Sequence, residues 1–281
     1  MRGSAPEDAP ASHDTIELPW SRFVAIGDSF TEGVGDPDPG SPGGLRGWAD
    51  RFAEVLAGVQ SERGVEFAYA NLAVRGKLIQ QIVDEQLVPT LALKPDLISV
   101  CAGGNDVIRP GADPDEVAAR LDHLIAALAT TGATILIFTG VDVAFQPVFR
   151  SLRGKVAIFN ENVRKVAQRH DCFVVDQWAI EELQDSRYWA DDRLHMNALG
   201  HHTIARAALD ALNIPHSLRP LDPPPLPARS WREARQEDVV WAREHLVPWV
   251  VRRIKRVSSG DDIVAKRPEP SSPLLRPSSD E

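Results

Sequence analysis

The sequence predicts an α/β protein, a three-layer α/β/α sandwich built on a five-stranded parallel sheet. Two patterns carry that expectation. Short runs such as Phe23-Val24-Ala25-Ile26 and Leu97-Ile98-Ser99-Val100-Cys101 are apolar along nearly their whole length, as strands buried on both faces must be. They alternate with longer segments whose apolar residues recur at helical spacing, which places helices on both faces of the sheet. The sandwich should span residues 19–214 as one domain, after a disordered N-terminal segment over residues 1–18 that mixes Pro, Ala, Ser and acidic residues.

The first strand runs directly into Gly27-Asp28-Ser29. Residues 34–44 are too rich in Gly and Pro for helix or strand, so they form a loop beside that turn and are expected, with Arg46, to line the adjoining pocket. Trp48, Phe52, Val55, Leu56 and Val59 share one helical face, and residues 65–70 read as the second strand. Asn71-Leu72-Ala73-Val74-Arg75-Gly76 then returns the chain to the same edge of the sheet. A helix follows over residues 77–87, with Pro89 marking its end or a kink.

The third strand ends in Ala102-Gly103-Gly104-Asn105-Asp106. Beyond it Asp113 suits an N-cap, Pro114 the first helical position, and Val117, Leu121, Leu124 and Leu128 form a stripe that stops at Gly132. Thr134-Ile135-Leu136-Ile137-Phe138 is the fourth strand, residues 152–169 a helix, and Cys172-Phe173-Val174-Val175-Asp176 the fifth strand. Ile204, Ala208 and Leu212 mark a final helix.

At 281 residues, 43% of them hydrophobic, the chain can bury a sizeable core. A formal net charge of -9 argues against nucleic-acid binding, which calls for a basic face that displaces counterions from phosphates. Residues 1–14 lack the apolar run of a signal peptide, and no stretch approaches the roughly 18 apolar residues of a membrane span. A cytoplasmic location is therefore expected. Cys101 and Cys172 lie in or beside strand-like runs and read as reduced core thiols, with a disulfide between them left open.

Ser29 falls at the carboxyl end of a strand, the edge where open α/β sheets bind ligands and where the next helix points its positive N-terminus. Asp28-Ser29 is equally an ordinary turn and cap. Ahead of the last helix, Asp192 stands three residues before His195. A carboxylate at that spacing can fold back onto Nδ1 and leave Nε2 free to take a proton from a hydroxyl. The alternative is a surface turn capped at Asn197, and Asp191 is a second choice for the carboxylate. Gly103 and Gly104 allow close backbone approach, and the Asn105 amide can donate to a developing oxyanion. If the sheet is parallel, Ser29, Gly76, Asn105 and His195 all reach one edge. Gly76-Lys77 lacks the rest of a phosphate-binding loop, and His195, His201 and His202 do not converge as zinc ligands do, so neither cofactor nor metal is expected.

Taken together, Gly27-Asp28-Ser29-Phe30 with Gly33, Asn71 through Gly76, Gly103-Gly104-Asn105-Asp106 and Asp192-Arg193-Leu194-His195 resemble the SGNH/GDSL hydrolase family of esterases and lipases. The resemblance implies a flavodoxin-like sandwich, with Ser29 as nucleophile, His195 as general base and Asp192 as its orienting carboxylate. It also implies an oxyanion hole made by the N–H groups of Ser29 and Gly76 and the amide of Asn105. The expected reaction is metal-independent cleavage of a small acyl or lipid-like ester through an acyl-enzyme. A non-catalytic module that keeps the pocket for binding is the competing reading. Phe30 stands where the family's name-giving Leu would be, and its ring is expected to face packing.

The C-terminal part differs in character. Pro215, Pro220, Pro223, Pro224, Pro225 and Pro227 make residues 215–229 an extended linker. Residues 230–257 carry Trp231, Trp241 and Trp249 with Arg252, Arg253, Lys255 and Arg256, and Val239, Val240, Leu246, Val247, Val250 and Ile254 approximate a helical stripe. This basic amphipathic segment either docks on the domain or makes a peripheral contact with an anionic membrane. Residues 258–281 read as a disordered tail.

Overall fold

Strand β1 (Arg22–Gly27) lies inside a sheet formed with β2 (Ala68–Asn71), β3 (Leu97–Cys101), β4 (Thr134–Phe138), β5 (Phe173–Val175) and β6 (Arg267–Ser271). The computed structural model describes residues 17–226, 230–248, 251 and 260–274. The strand order is β5-β4-β3-β1-β2-β6, in which the first five strands pair in parallel and β6 runs antiparallel to β2. Order 2-1-3-4-5 puts a topological switch point between β1 and β3, where connections depart in opposite directions and open a crevice at the carboxyl ends.

Each face of the sheet has its own core. On one side α2 (Trp48–Glu62) and α8 (Ala198–Ala211) cover Phe23, Ala25, Tyr69 and Leu136. On the other, α6 (Pro114–Ala129) and α7 (Arg153–His170) cover Val24, Ile26, Ile98 and Ile137. Neighbouring strand residues thus supply opposite cores, which is why these strands show no polar alternation.

β6 corrects the expectation of five strands and of a tail without structure. Its sequence, Arg-Pro-Glu-Pro-Ser, has neither alternation nor strand formers; the unpaired edge of β2 makes it a strand. Pro268 and Pro270 suit an outermost position, because a missing N–H is tolerated only where no further strand pairs. Side chains fasten the segment: Lys266 Nζ is buried against Asp50 Oδ2 at 2.6 Å and Leu45 O at 3.0 Å. The Arg267 guanidinium stacks on the Tyr69 ring at 5.4 Å. Of the N-terminal segment expected to be disordered over residues 1–18, residues 1–16 lie outside the described residues, as do 249–250, 252–259 and 275–281 of the C-terminal part. Leu18 is instead buried in the core, because Gln60 Nε2 donates to its carbonyl at 3.2 Å and its side chain packs under α2.

The helix predicted over residues 77–87 runs on past Pro89. α3 (Ile79–Ile82) passes through a widened turn, Val83–Leu87, into α4 (Val88–Ala92). Pro89 has no N–H for the regular ladder and its ring would crowd the carbonyl a turn earlier, so the local widening lets the helix continue. The same turn buries Gln86, whose amide donates to Gly27 O and accepts from Gly27 N, both at 2.9 Å. The last peptide of β1 is thereby paired by a side chain from across the connection.

His201 links the two helices of the other face. Its Nδ1 accepts from Trp48 N at 3.2 Å, so Nε2 carries the proton and donates to Val34 O, also at 3.2 Å. Burial, with Arg51, Lys266 and His195 adding positive charge nearby, drives its pKa down to about 3 despite the Val34 bond.

Two stability effects follow. Gln86→Ala strands the buried Gly27 N–H and leaves Gly27 O with only the 3.4 Å bond from Val74 N, and urea unfolding should show a loss of roughly 1–3 kcal/mol; a loss below about 0.5 kcal/mol would mean water replaces the amide. For His201, the unfolded ring titrates near 6.5 and the folded one near 3, so the unfolded state binds the extra proton between those values. Its contribution is complete above pH 6.5 and is lost as pH falls toward 3. His201→Gln keeps one donor and one acceptor without titrating, and the stability of the native chain relative to it should fall by roughly 2–4 kcal/mol from pH 7 to pH 4.

Candidate active site

β1 ends at Gly27, whose φ of 146° and closeness to β3 admit no side chain: a Cβ there would lie 2.2 Å from Cys101 O. Asp28 then caps the short helix α1 (Ser29–Glu32), accepting from Phe30 N at 3.2 Å. Ser29 is the first residue of that helix, and first-turn N–H groups have no carbonyl a turn behind them. Burial pushes the Asp28 carboxyl up to about 6, opposed by the Phe30 N–H, the His195 ring and the Asn105 amide. At neutral pH it is ionised and accepts from Asn105 Nδ2 at 3.0 Å.

The turn after β2 is held by Asn71 and Glu32. Asn71 Nδ2 donates to Thr31 O at 2.8 Å and to the Tyr69 hydroxyl at 2.9 Å, while its Oδ1 accepts from Ala73 N at 3.1 Å. The buried Glu32 carboxylate accepts from Arg75 N at 2.6 Å and from the Arg75 guanidinium. These bonds fix the backbone leading into Gly76, which sits at φ 76° where a side chain would be strained. After β3, α5 (Gly104–Val107) carries Asn105, whose Nδ2 also donates to Lys77 O at 3.2 Å. Asp106 accepts from Ile79 N at 3.1 Å. The ends of three adjacent strands are therefore tied to one another by side chains.

His195 arrives from the far end of the chain. Asp192 Oδ1 accepts from the N–H groups of Leu194, at 2.9 Å, and His195, at 3.0 Å, while Oδ2 lies 2.6 Å from His195 Nδ1. Burial works to raise the Asp192 carboxyl, but the bond and charge of His195, with both backbone donors, bring it down to about 2. A carboxylate cannot donate, so Nδ1 carries the hydrogen in this pair and Nε2 is the basic nitrogen. The rival Asp191 is exposed.

Ser29, Asn105 and His195 line one cavity of about 170 Å³. Asp192 stands behind the imidazole, and Gly76 lies on the neighbouring turn outside the cavity wall. The remaining wall is mostly apolar and includes Val107, Phe138, Val141, Phe149, Val156 and Phe159. Two expectations change here. The wall is supplied by the connection from β4 to α7 instead of the loop at residues 34–46. Asp142 fixes that connection by accepting from Ala144 N at 3.0 Å and pairing with Arg153 at 2.8 Å. Phe30 packs on the core yet also faces the cavity, its ring centroid 6.3 Å from that of His195. Arg193, also on the wall, was marked only by its place between Asp192 and His195, and Gln146, beside it on the wall, had no sequence signal.

Cys101 and Cys172 are free thiols, held protonated chiefly by burial, with nearby acidic charge adding to it. Among the described residues no cluster of three or more His, Cys, Asp or Glu could hold a metal ion.

A model of the GDSL-like lipase/acylhydrolase family matches residues 25–203, more than half of the chain. An acetylxylan esterase from Geobacillus stearothermophilus is 27% identical over 204 residues, covering 67% of this chain and 92% of its own. Among solved structures, the α/β hydrolase enzyme LAE5 from the metagenome of Lake Arreo, Spain, superposes with a TM-score of 0.56 at 27% identity, over 70% of this chain and 97% of that one. TesA shares the fold with a TM-score of 0.55 at 18% identity, over 68% and 97% of the two chains.

Proposed function

This chain belongs to the GDSL-like lipase/acylhydrolase family and is a carboxylic ester hydrolase; we propose that it works through Ser29, His195 and Asp192 on esters with an apolar acyl chain. The observation that carries the proposal is the 2.6 Å bond from His195 Nδ1 to Asp192, on a turn whose imidazole shares a cavity with Ser29.

In this reading Ser29 Oγ attacks the ester carbonyl as His195 Nε2 takes its proton, and the Asp192 carboxylate stabilises the resulting imidazolium. Negative charge develops on the former carbonyl oxygen, facing the N–H group of Ser29 and the amide of Asn105, the two expected donors that line the cavity. The bond from Asn105 to Lys77 O, at 3.2 Å the longer of its pair, is the one that the oxyanion displaces. The intermediate collapses, the alcohol leaves with the proton from His195, and water repeats the sequence on the acyl-enzyme.

The acyl preference comes from the wall formed by Phe138, Val141, Phe149, Val156 and Phe159, which offers an alkyl chain contact and a sugar almost no hydrogen bonds. Each buried methylene is worth about 0.8 kcal/mol, close to fourfold in kcat/KM. With p-nitrophenyl esters, hexanoate should therefore exceed acetate by at least about tenfold, and Ser29→Ala should remove nearly all turnover while leaving the unfolding midpoint intact. A preference for acetate would sink the acyl assignment, and an active Ser29→Ala would sink the mechanism. Asn105→Ala should lower kcat by roughly 10²–10³-fold, the loss seen for one oxyanion donor; an unchanged kcat would take Asn105 out of the reaction.

A further inference from the structure

We propose that helix α9 (Trp231–Trp241), outside the matched family region, is a positioning element for the reaction, with the Trp241 indole holding the Asp192 to His195 turn from outside. The inference rests on the ester-hydrolase reading of that turn. Ser230 and Glu233 start the helix with reciprocal capping bonds. At its other end Trp241 Nε1 donates to Asp192 O at 3.0 Å. Asp192 is thus gripped at both polar ends: its carboxylate by the turn and the imidazole, its carbonyl by a residue 49 positions later.

The next residue is gripped as well. Arg193 has φ 56°, a left-handed conformation unfavourable for a residue with a side chain unless its surroundings hold it. Gln146 Nε2 donates to its carbonyl at 2.8 Å. Its guanidinium pairs with Asp238 at 2.8 Å and lies 4.8 Å above the Trp241 ring. Asp238 and Trp241 are three apart in α9 and so share one face, and that face meets the turn. The Arg193 and Asp238 side chains are 39% and 62% exposed, which makes the ion pair weak on its own and leaves the indole bond as the stronger of the two restraints that α9 supplies.

The helix is also tethered on both sides in the chain. Before it, Tyr188 Oη bonds Leu221 O at 3.1 Å and His202 Nε2 bonds Arg219 O at 2.8 Å; after it, β6 is paired to the sheet. The stretch expected to be an extended linker is therefore bonded to the domain at Arg219, Leu221 and Pro224, the last accepting from Arg187 at 3.2 Å.

Proton transfer falls off steeply when a base is displaced by a fraction of an ångström, so loosening this turn lowers kcat more than it alters substrate binding. In the full-length chain, Trp241→Phe keeps a ring for Arg193 and removes the donor. It should lower kcat for a p-nitrophenyl ester about fivefold to tenfold with KM within twofold, and should shift the downfield ¹H resonance of His195 Nδ1–H. Asp238→Ala, a change on the exposed surface, should give a smaller fall in kcat with KM again unchanged. Wild-type kcat with an unmoved resonance in Trp241→Phe, or an effect on KM alone in both variants, would overturn the proposal. If the wild-type chain is no more active than Ser29→Ala, the hydrolase reading is what has failed, and the Nδ1–H comparison still decides whether Trp241 positions the turn.

Discussion

The arrangement at the sheet edge depends on one carboxylate. Asp192 accepts from two backbone N–H groups of its own turn and from the His195 imidazole, so folding the turn and aiming the ring are a single event. Those donors outweigh the cost of burying the charge, which is why the group stays ionised far below neutral pH. An ionised Asp192 in turn fixes which imidazole nitrogen bears the hydrogen. The tautomer of His195 is therefore set within its own turn.

What the turn requires is a place to face. The parallel sheet provides it, because β1, β2 and β3 end side by side and their turns share one crevice at the switch point. Side chains close the remaining gaps: Gln86 pairs the Gly27 peptide, Glu32 and Asn71 fix the turn after β2, and Asn105 reaches from α5 to Asp28. Each is a buried polar group with partners, so the crevice is rigid at its floor. Its far wall is apolar and built from the irregular connection between β4 and α7, which gives the cavity two chemically distinct sides.

The C-terminal extension uses the same physics. β6 covers an edge that would otherwise expose unpaired peptide groups, and Lys266 buries its charge only because Asp50 and Leu45 O receive it. α9 lies over the Asp192 turn through the Trp241 and Asp238 contacts. The extension thus touches both the outer edge of the sheet and the turn carrying His195.

Much of this was legible in the residues themselves. Uninterrupted apolar runs gave the parallel strands, the 3.6-residue stripes gave their covering helices, and the Asp192 to His195 spacing predicted a bond that depends only on local backbone geometry. Short-range patterns of this kind are encoded by neighbours in the chain. The pocket wall was not legible, because Val141, Phe149 and Phe159 have no shared period and meet only after β4 and α7 have packed. Nor was β6, whose prolines argue against a strand until an edge is there to receive it. The bond from Trp241 to Asp192 spans 49 residues and joins segments of unlike composition. Contacts at that separation are chosen by shape and by unsatisfied donors in the folded chain, so only the tertiary structure could decide them.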